Sequence, residues 1–153
     1  MTDYFMDTTV LVAISNKCDK HHDKAKRLVR AILKEKTHPT IFVSDYIIDE
    51  TISVVLARTK NEPDEFKRKI LEHIDKIVYN SRFIRVIHVD EVTYSSALTY
   101  LRKEKTFLAS LTDWINAVTM KSRNIKEILS FDGDFDKISK LPDFSFIKRI
   151  EEL

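Results

Sequence analysis

Short apolar runs alternate along this chain with segments whose apolar residues recur at helical spacing. Tyr4-Phe-Met6, Thr40-Ile-Phe-Val43, Phe83 to Val89 and Ile125 to Ser130 read as strands, and Phe144 to Ile150 as a last, edge strand. Between them, Val10 to Ile14, Asp19 to Lys36, Asp45 to Arg58, Asp64 to Asn80, Glu91 to Glu104 and Thr112 to Ser122 read as helices. Strands separated by helices cannot form hairpins. They pair in parallel, and the connecting helices cover the sheet on both sides. The prediction is an α/β fold: a three-layer α/β/α sandwich with a central, mainly parallel sheet.

One glycine and three prolines leave few points at which regular structure must break, so the loops should be short. The lone Gly133 lies between Asp132 and Asp134, where its wider range of backbone conformations draws interest. At 153 residues the chain suits a single domain, residues 1–153. The acids near the start provide no basic flank for a signal peptide, and Val10 to Ile14 is too short to span a membrane. A cytoplasmic protein without membrane association is expected. Cys18 is the sole cysteine, which excludes an internal disulfide and a thiolate zinc site. The 26 basic and 24 acidic residues nearly cancel, so net charge selects no partner.

Sites in parallel α/β sheets lie beyond the carboxyl ends of the strands. Asp7 and the run Asp132 to Asp136 both follow such strands, while Glu50 and Asp113 stand near helix starts where they can face the same rim. Several carboxylates brought together without a compensating arginine or lysine require cations or retained protons. Oxygen-only donors suit Mg2+ or Mn2+, and no histidine or cysteine falls at ligand spacing for zinc. Hydrolysis of a phosphodiester is the natural use of such a centre. Lys17, Lys20, Lys24 and Arg27 can meet the flanking phosphates.

Asp7-Thr-Thr9 after the first strand, Asp49-Glu50 after the second, Thr112-Asp113-Trp-Ile-Asn116-Ala-Val on a later helix and Leu129-Ser-Phe-Asp-Gly-Asp-Phe135 resemble, in order, the motifs of PIN-domain nucleases. The length and the His22-x-x-Ala25 helix are most similar to compact VapC-type toxins. The resemblance implies a Mg2+- or Mn2+-dependent endoribonuclease, dimeric, acting on RNA and inhibited by an antitoxin protein. It places Asp7, Glu50, Asp113 and Asp132 in the catalytic, metal-binding set, with Asp134 as the alternative fourth acid. Thr8, Thr9 and Ser130 then match hydroxyls that orient the carboxylates.

Each residue also has a plainer use. Asp7 and Asp113 are good helix caps, with Thr112 also available to cap the later helix, and Glu50 alone is an ordinary helix acid. Asp136 reads as a solvated helix residue, Trp114 as core, and His21 and His22 as packing or surface residues. Two other functions fit the same frame: a non-catalytic RNA-binding or scaffold protein, and a phosphoacceptor signalling domain with Asp7 as acceptor.

Overall fold

In the strand Asp3–Met6 (β1), Tyr4, Phe5 and Met6 are all buried. Successive strand residues point to opposite faces, so this sheet is covered on both sides. The computed structural model describes residues 2–35 and 38–153, so the predicted helix end at Lys36 lies outside the described residues. After β1 come the helices Thr8–Ser15 (α1) and His22–Leu33 (α2), then strand Thr40–Ser44 (β2). Helices Asp45–Arg58 (α3) and Asp64–Tyr79 (α4) lead to strand Ile84–Ile87 (β3). Helices Glu91–Lys103 (α5) and Leu111–Arg123 (α6) lead to strand Glu127–Leu129 (β4). A short helix Asp134–Ile138 (α7) and a 3-10 turn at Pro142–Phe144 precede strand Lys148–Ile150 (β5).

The sheet order is β3-β2-β1-β4-β5, with every pairing parallel. The chain therefore winds outward from β1 to β3, crosses back, and winds outward again through β4 and β5. Parallel crossovers share one hand, so connections running in opposite directions lie on opposite faces. Accordingly α1 packs on α2, α3 and α4, while α6 packs on α5 and α7. The reversal of winding falls between β1 and β4, where Met6 pairs with Leu129 and the Asp7 N–H donates to the Leu129 carbonyl at 3.0 Å. The two edge strands expose Arg85 and Lys148, charges that oppose further strand pairing.

The stripe on α4 from Phe66 to Val78 turns inward, with Ile70, Ile74 and Val78 buried. It is core. On the other face, Trp114 of α6 is 1% exposed and stacks on Tyr100 at 5.6 Å and on Phe107 at 5.8 Å, with Phe144 beside it. These rings fix the height of α6 above the sheet. Gly133 sits at φ −69° and ψ −8°, a conformation open to any residue, and an added Cβ would meet nothing within 4 Å. No helix among the described residues is long and apolar enough to cross a membrane.

Trp114→Ala should cost about 3–5 kcal/mol, because it leaves an unfilled hole among three rings. Urea unfolding measures this, and a loss below about 1 kcal/mol would show that the cluster does not anchor α6.

Candidate active site

The reversal point between β1 and β4 opens into a cleft of about 440 Å³ lined by Asp7, Glu50, Asp113, Asp132 and Asp134. All five acids singled out in the sequence are brought together there. Four separate segments deliver them: the end of β1, helix α3, the first turn of α6, and the loop from β4 into α7.

Asp7 caps α1 and is 2% exposed. Its Oδ2 accepts hydrogen bonds from the hydroxyls of Thr9 and Ser130, both at 2.8 Å, and from the Thr9 N–H at 3.4 Å. Each hydroxyl also accepts in turn. Thr9 Oγ1 takes the Phe131 N–H and Ser130 Oγ takes the Asp132 N–H, both at 3.0 Å. The two hydroxyls thus tie the β4–α7 loop to the β1 carboxylate. Thr8 serves a different acid, donating its hydroxyl to Glu50 Oε2 at 2.6 Å.

The helix carrying Asp113 begins one residue earlier than the sequence indicates, and its cap is Ser110 rather than Thr112. Ser110 Oγ accepts the Asp113 N–H at 3.1 Å, and Asp113 Oδ2 accepts the Ser110 N–H at 3.0 Å. This reciprocal capping box fixes the carboxylate at the helix start. Asp132 Oδ1 accepts the Asp134 N–H at 2.9 Å, and Asp134 Oδ1 accepts from Lys137 Nζ at 2.8 Å.

A common pattern results. Each of the five carboxylates uses one oxygen for a structural hydrogen bond or ion pair, and its other oxygen accepts none among the described residues. The capping of helices by Asp7 and Asp113 therefore leaves one oxygen of each unbonded among the described residues.

Oxygens of Asp113, Asp132 and Asp134 lie within 4.8 Å of one another. Oxygens bound to one Mg2+ ion are about 3.0 Å apart when adjacent and about 4.2 Å when opposite, so the trio could share a single ion once the three side chains draw closer together. Both Asp132 and Asp134 belong to this trio. With only oxygen donors, the set suits a hard divalent cation.

The electrostatics express the same crowding. Burial pushes the Asp7 carboxyl up to about 6, against the lowering effect of the Thr9 and Ser130 hydrogen bonds. Burial, followed by the charge on Asp7, raises Asp113 to about 7; Asp132 adds to this and the Ser110 N–H opposes it.

The site is not wholly without cations. Lys137 pairs with Asp134, and Lys20 and Arg58 line the cleft. Of the basic residues expected at the rim, Lys20 alone lines the cleft, whereas Lys24 reaches the Phe131 ring and Glu151. Arg58, unremarkable in the sequence as the end of a helix, is placed here by about two turns of α3 beyond Glu50, and pairs with Asp19 at 3.0 Å. Asp136 is held in a two-pronged pair with Arg149 at 3.0 and 2.8 Å, not simply solvated.

A model of the PIN domain matches residues 4–141, a span containing all five acids. No curated protein sequence matches the chain. Among solved structures, the fold is similar to VapC20 of Mycobacterium tuberculosis, described as a sarcin-ricin loop cleaving toxin. The TM-score is 0.73 at 24% identity, covering 88% of this chain and 94% of that one. It is also similar to VapBC2 of Rickettsia felis, solved bound to a DNA fragment from its promoter. There the TM-score is 0.64 at 18% identity, covering 97% of this chain and 98% of that one. At these identities the likeness is one of fold.

An unfolded aspartate loses its proton near 3.8, whereas the folded chain retains protons on Asp7 to about 6 and on Asp113 to about 7. Between these values the folded state binds more protons than the unfolded state, so metal-free stability should fall as pH rises through that window. Asp113→Asn keeps an oxygen for the Ser110 N–H and removes the charge. At pH 8, on the order of 1–3 kcal/mol of stability should be gained. Urea midpoints compared at about pH 8 and about pH 4 test this: the gain should vanish at the lower pH. An equal effect at both would contradict the assigned electrostatics.

Proposed function

The chain belongs to the PIN-domain family, and on that premise we propose that it is a metal-dependent endoribonuclease, the toxin of a toxin–antitoxin pair, hydrolysing RNA phosphodiester bonds with Mg2+ or Mn2+. The observation that carries this reading is the set of five carboxylates in one cleft, each anchored through one oxygen and open at the other. Asp113, Asp132 and Asp134 would hold the ion, with Asp7 behind Asp113 adding negative charge. When bound, a divalent cation lowers the pKa of water and neutralises charge on the phosphate.

The remaining work belongs to the chain's own side chains. Glu50, oriented by Thr8 through Oε2, keeps Oε1 available to accept a proton from the attacking water. Lys20 and Arg58 sit where phosphates flanking the cut would lie and offset the repulsion between RNA and an acidic cleft. Thr9 and Ser130 hold Asp7 and the Asp132 loop in register. The protein acts as a single PIN-like domain in the cytoplasm, as a homodimer whose partner is an antitoxin protein. The likeness in fold to VapC20 and VapBC2 supports the toxin assignment.

Purified protein should cut RNA only when Mg2+ or Mn2+ is supplied. Ser130→Ala removes an orienting hydroxyl and should slow cleavage by about 10- to 100-fold. Asp7→Asn and Asp113→Asn, which alter the acids themselves, should slow it further without loss of folding. Undiminished cleavage by both Asn variants would overturn the site. RNA binding without cleavage in either ion would make the chain a non-catalytic RNA-binding protein of the same fold.

A further inference from the structure

His21 occupies the N-cap position of α2, yet its side chain makes no capping bond there. Ser, Thr, Asp and Asn are the residues suited to that position, so the local helix gives no reason for a histidine. Neither ring nitrogen of His21 has a hydrogen-bond partner among the described residues; only its backbone is engaged, the N–H donating to Asp19 Oδ1 at 2.8 Å and the carbonyl accepting the Ala25 N–H at 2.9 Å. The neighbouring His22 is accounted for differently, with Nδ1 at 2.8 Å from the Ala13 carbonyl. The His21 ring instead lines the acidic cleft, where it lies 5.3 Å from the Phe131 ring at an interplanar angle of 42°.

The backbone that carries each ring is fixed. Asp19 accepts the His21 N–H through one oxygen and pairs with Arg58 of α3 through the other, fixing the loop that carries His21. Phe131 is tied by its N–H to Thr9, and Lys24 Nζ lies 5.2 Å from its ring centroid. The cleft thus has a floor of carboxylates and an aromatic wall, with both rings partly exposed. His21 does not join the carboxylate trio that fits one metal ion, so its place in the cleft is not explained by ligation.

Resting on the ribonuclease reading above, we propose that His21, backed by Phe131, is a platform on which an unpaired nucleobase beside the scissile phosphate stacks. In a duplex the faces of the bases are already stacked on their neighbours. In a loop or single strand they are open to Phe, Tyr, Trp or His. Stacking needs only a π-face, so it orients the strand with little dependence on sequence.

The test uses the full chain carrying Asp113→Asn, which should bind RNA without cutting it, titrated with a labelled oligoadenylate and with a short RNA duplex. The parent should prefer the single strand. His21→Ala and Phe131→Leu should each weaken single-strand binding by about tenfold, with duplex binding changed less than about twofold. His21→Phe retains the ring but cannot carry a proton, so it should bind like the parent; in the cleavage-competent chain it should preserve kcat and KM, whereas His21→Ala raises KM. Thermal melting is the control for folding, and Mn2+ calorimetry on the His21 and Phe131 variants with Asp113 intact is the control for the acid cluster. If the chain with Asp113 intact cuts RNA but His21→Phe fails as His21→Ala does, or if single strand and duplex lose affinity alike, the platform is overturned and the ribonuclease reading stands. If the unaltered chain neither binds nor cuts RNA, both are overturned.

Discussion

Each of the five clustered acids, Asp7, Glu50, Asp113, Asp132 and Asp134, is restrained through one oxygen only among the described residues, whereas Asp19 at the cleft's edge is bonded at both, and the rest of the site depends on that division. A carboxylate bonded at both oxygens would be a structural group, well stabilised and unavailable for ligation. One bonded at neither would be mobile and poorly directed. Asp7 held by Thr9 and Ser130, Glu50 by Thr8, Asp113 by Ser110, Asp132 by the Asp134 N–H and Asp134 by Lys137 all fall between these extremes. The arrangement orients charge without neutralising it. Its cost appears as raised proton affinity on Asp7 and Asp113, the two most buried acids of the set.

The topology makes the convergence possible. Asp7 and Ser130 are 123 positions apart, yet they bond because β1 and β4 are neighbours at the reversal of winding. A crossover on one face brings α3 and Glu50 to the rim, and the return crossover brings α6 and Asp113 to it from the other side. The aromatic stack under Trp114 sets the position of α6, so core packing distant from the carboxylates determines where Asp113 stands.

Much of this was legible in the sequence. Apolar runs and helical spacing identify the strands and helices, and acids after strands mark the rim. What local sequence could not supply was pairing across distance. Thr112 beside Asp113 suggests a cap, but the reciprocal bond requires the N3 position, which assigns the cap to Ser110. Lys137 one turn beyond Asp134, and Arg149 opposite Asp136, alter the charge balance of a run that otherwise reads as uniformly acidic. Arg58 and His21 reach the cleft only because α3 runs along it and the Asp19 loop folds back upon α3. An adjacent pair of histidines carries no sign of which ring turns inward. The unused N-cap position of His21 was the available signal, and it depends on knowing where α2 begins.

The central claim, that the unbonded oxygens of these acids form a divalent-cation centre, is tested most directly by the anomalous signal of Mn2+ in crystals of the unaltered chain. The account predicts an ion in the cleft bound by Asp113, Asp132 and Asp134 through the oxygens left free by Ser110, the Asp134 N–H and Lys137. An ion bound elsewhere, or a cleft that takes up none at saturating Mn2+, would contradict it.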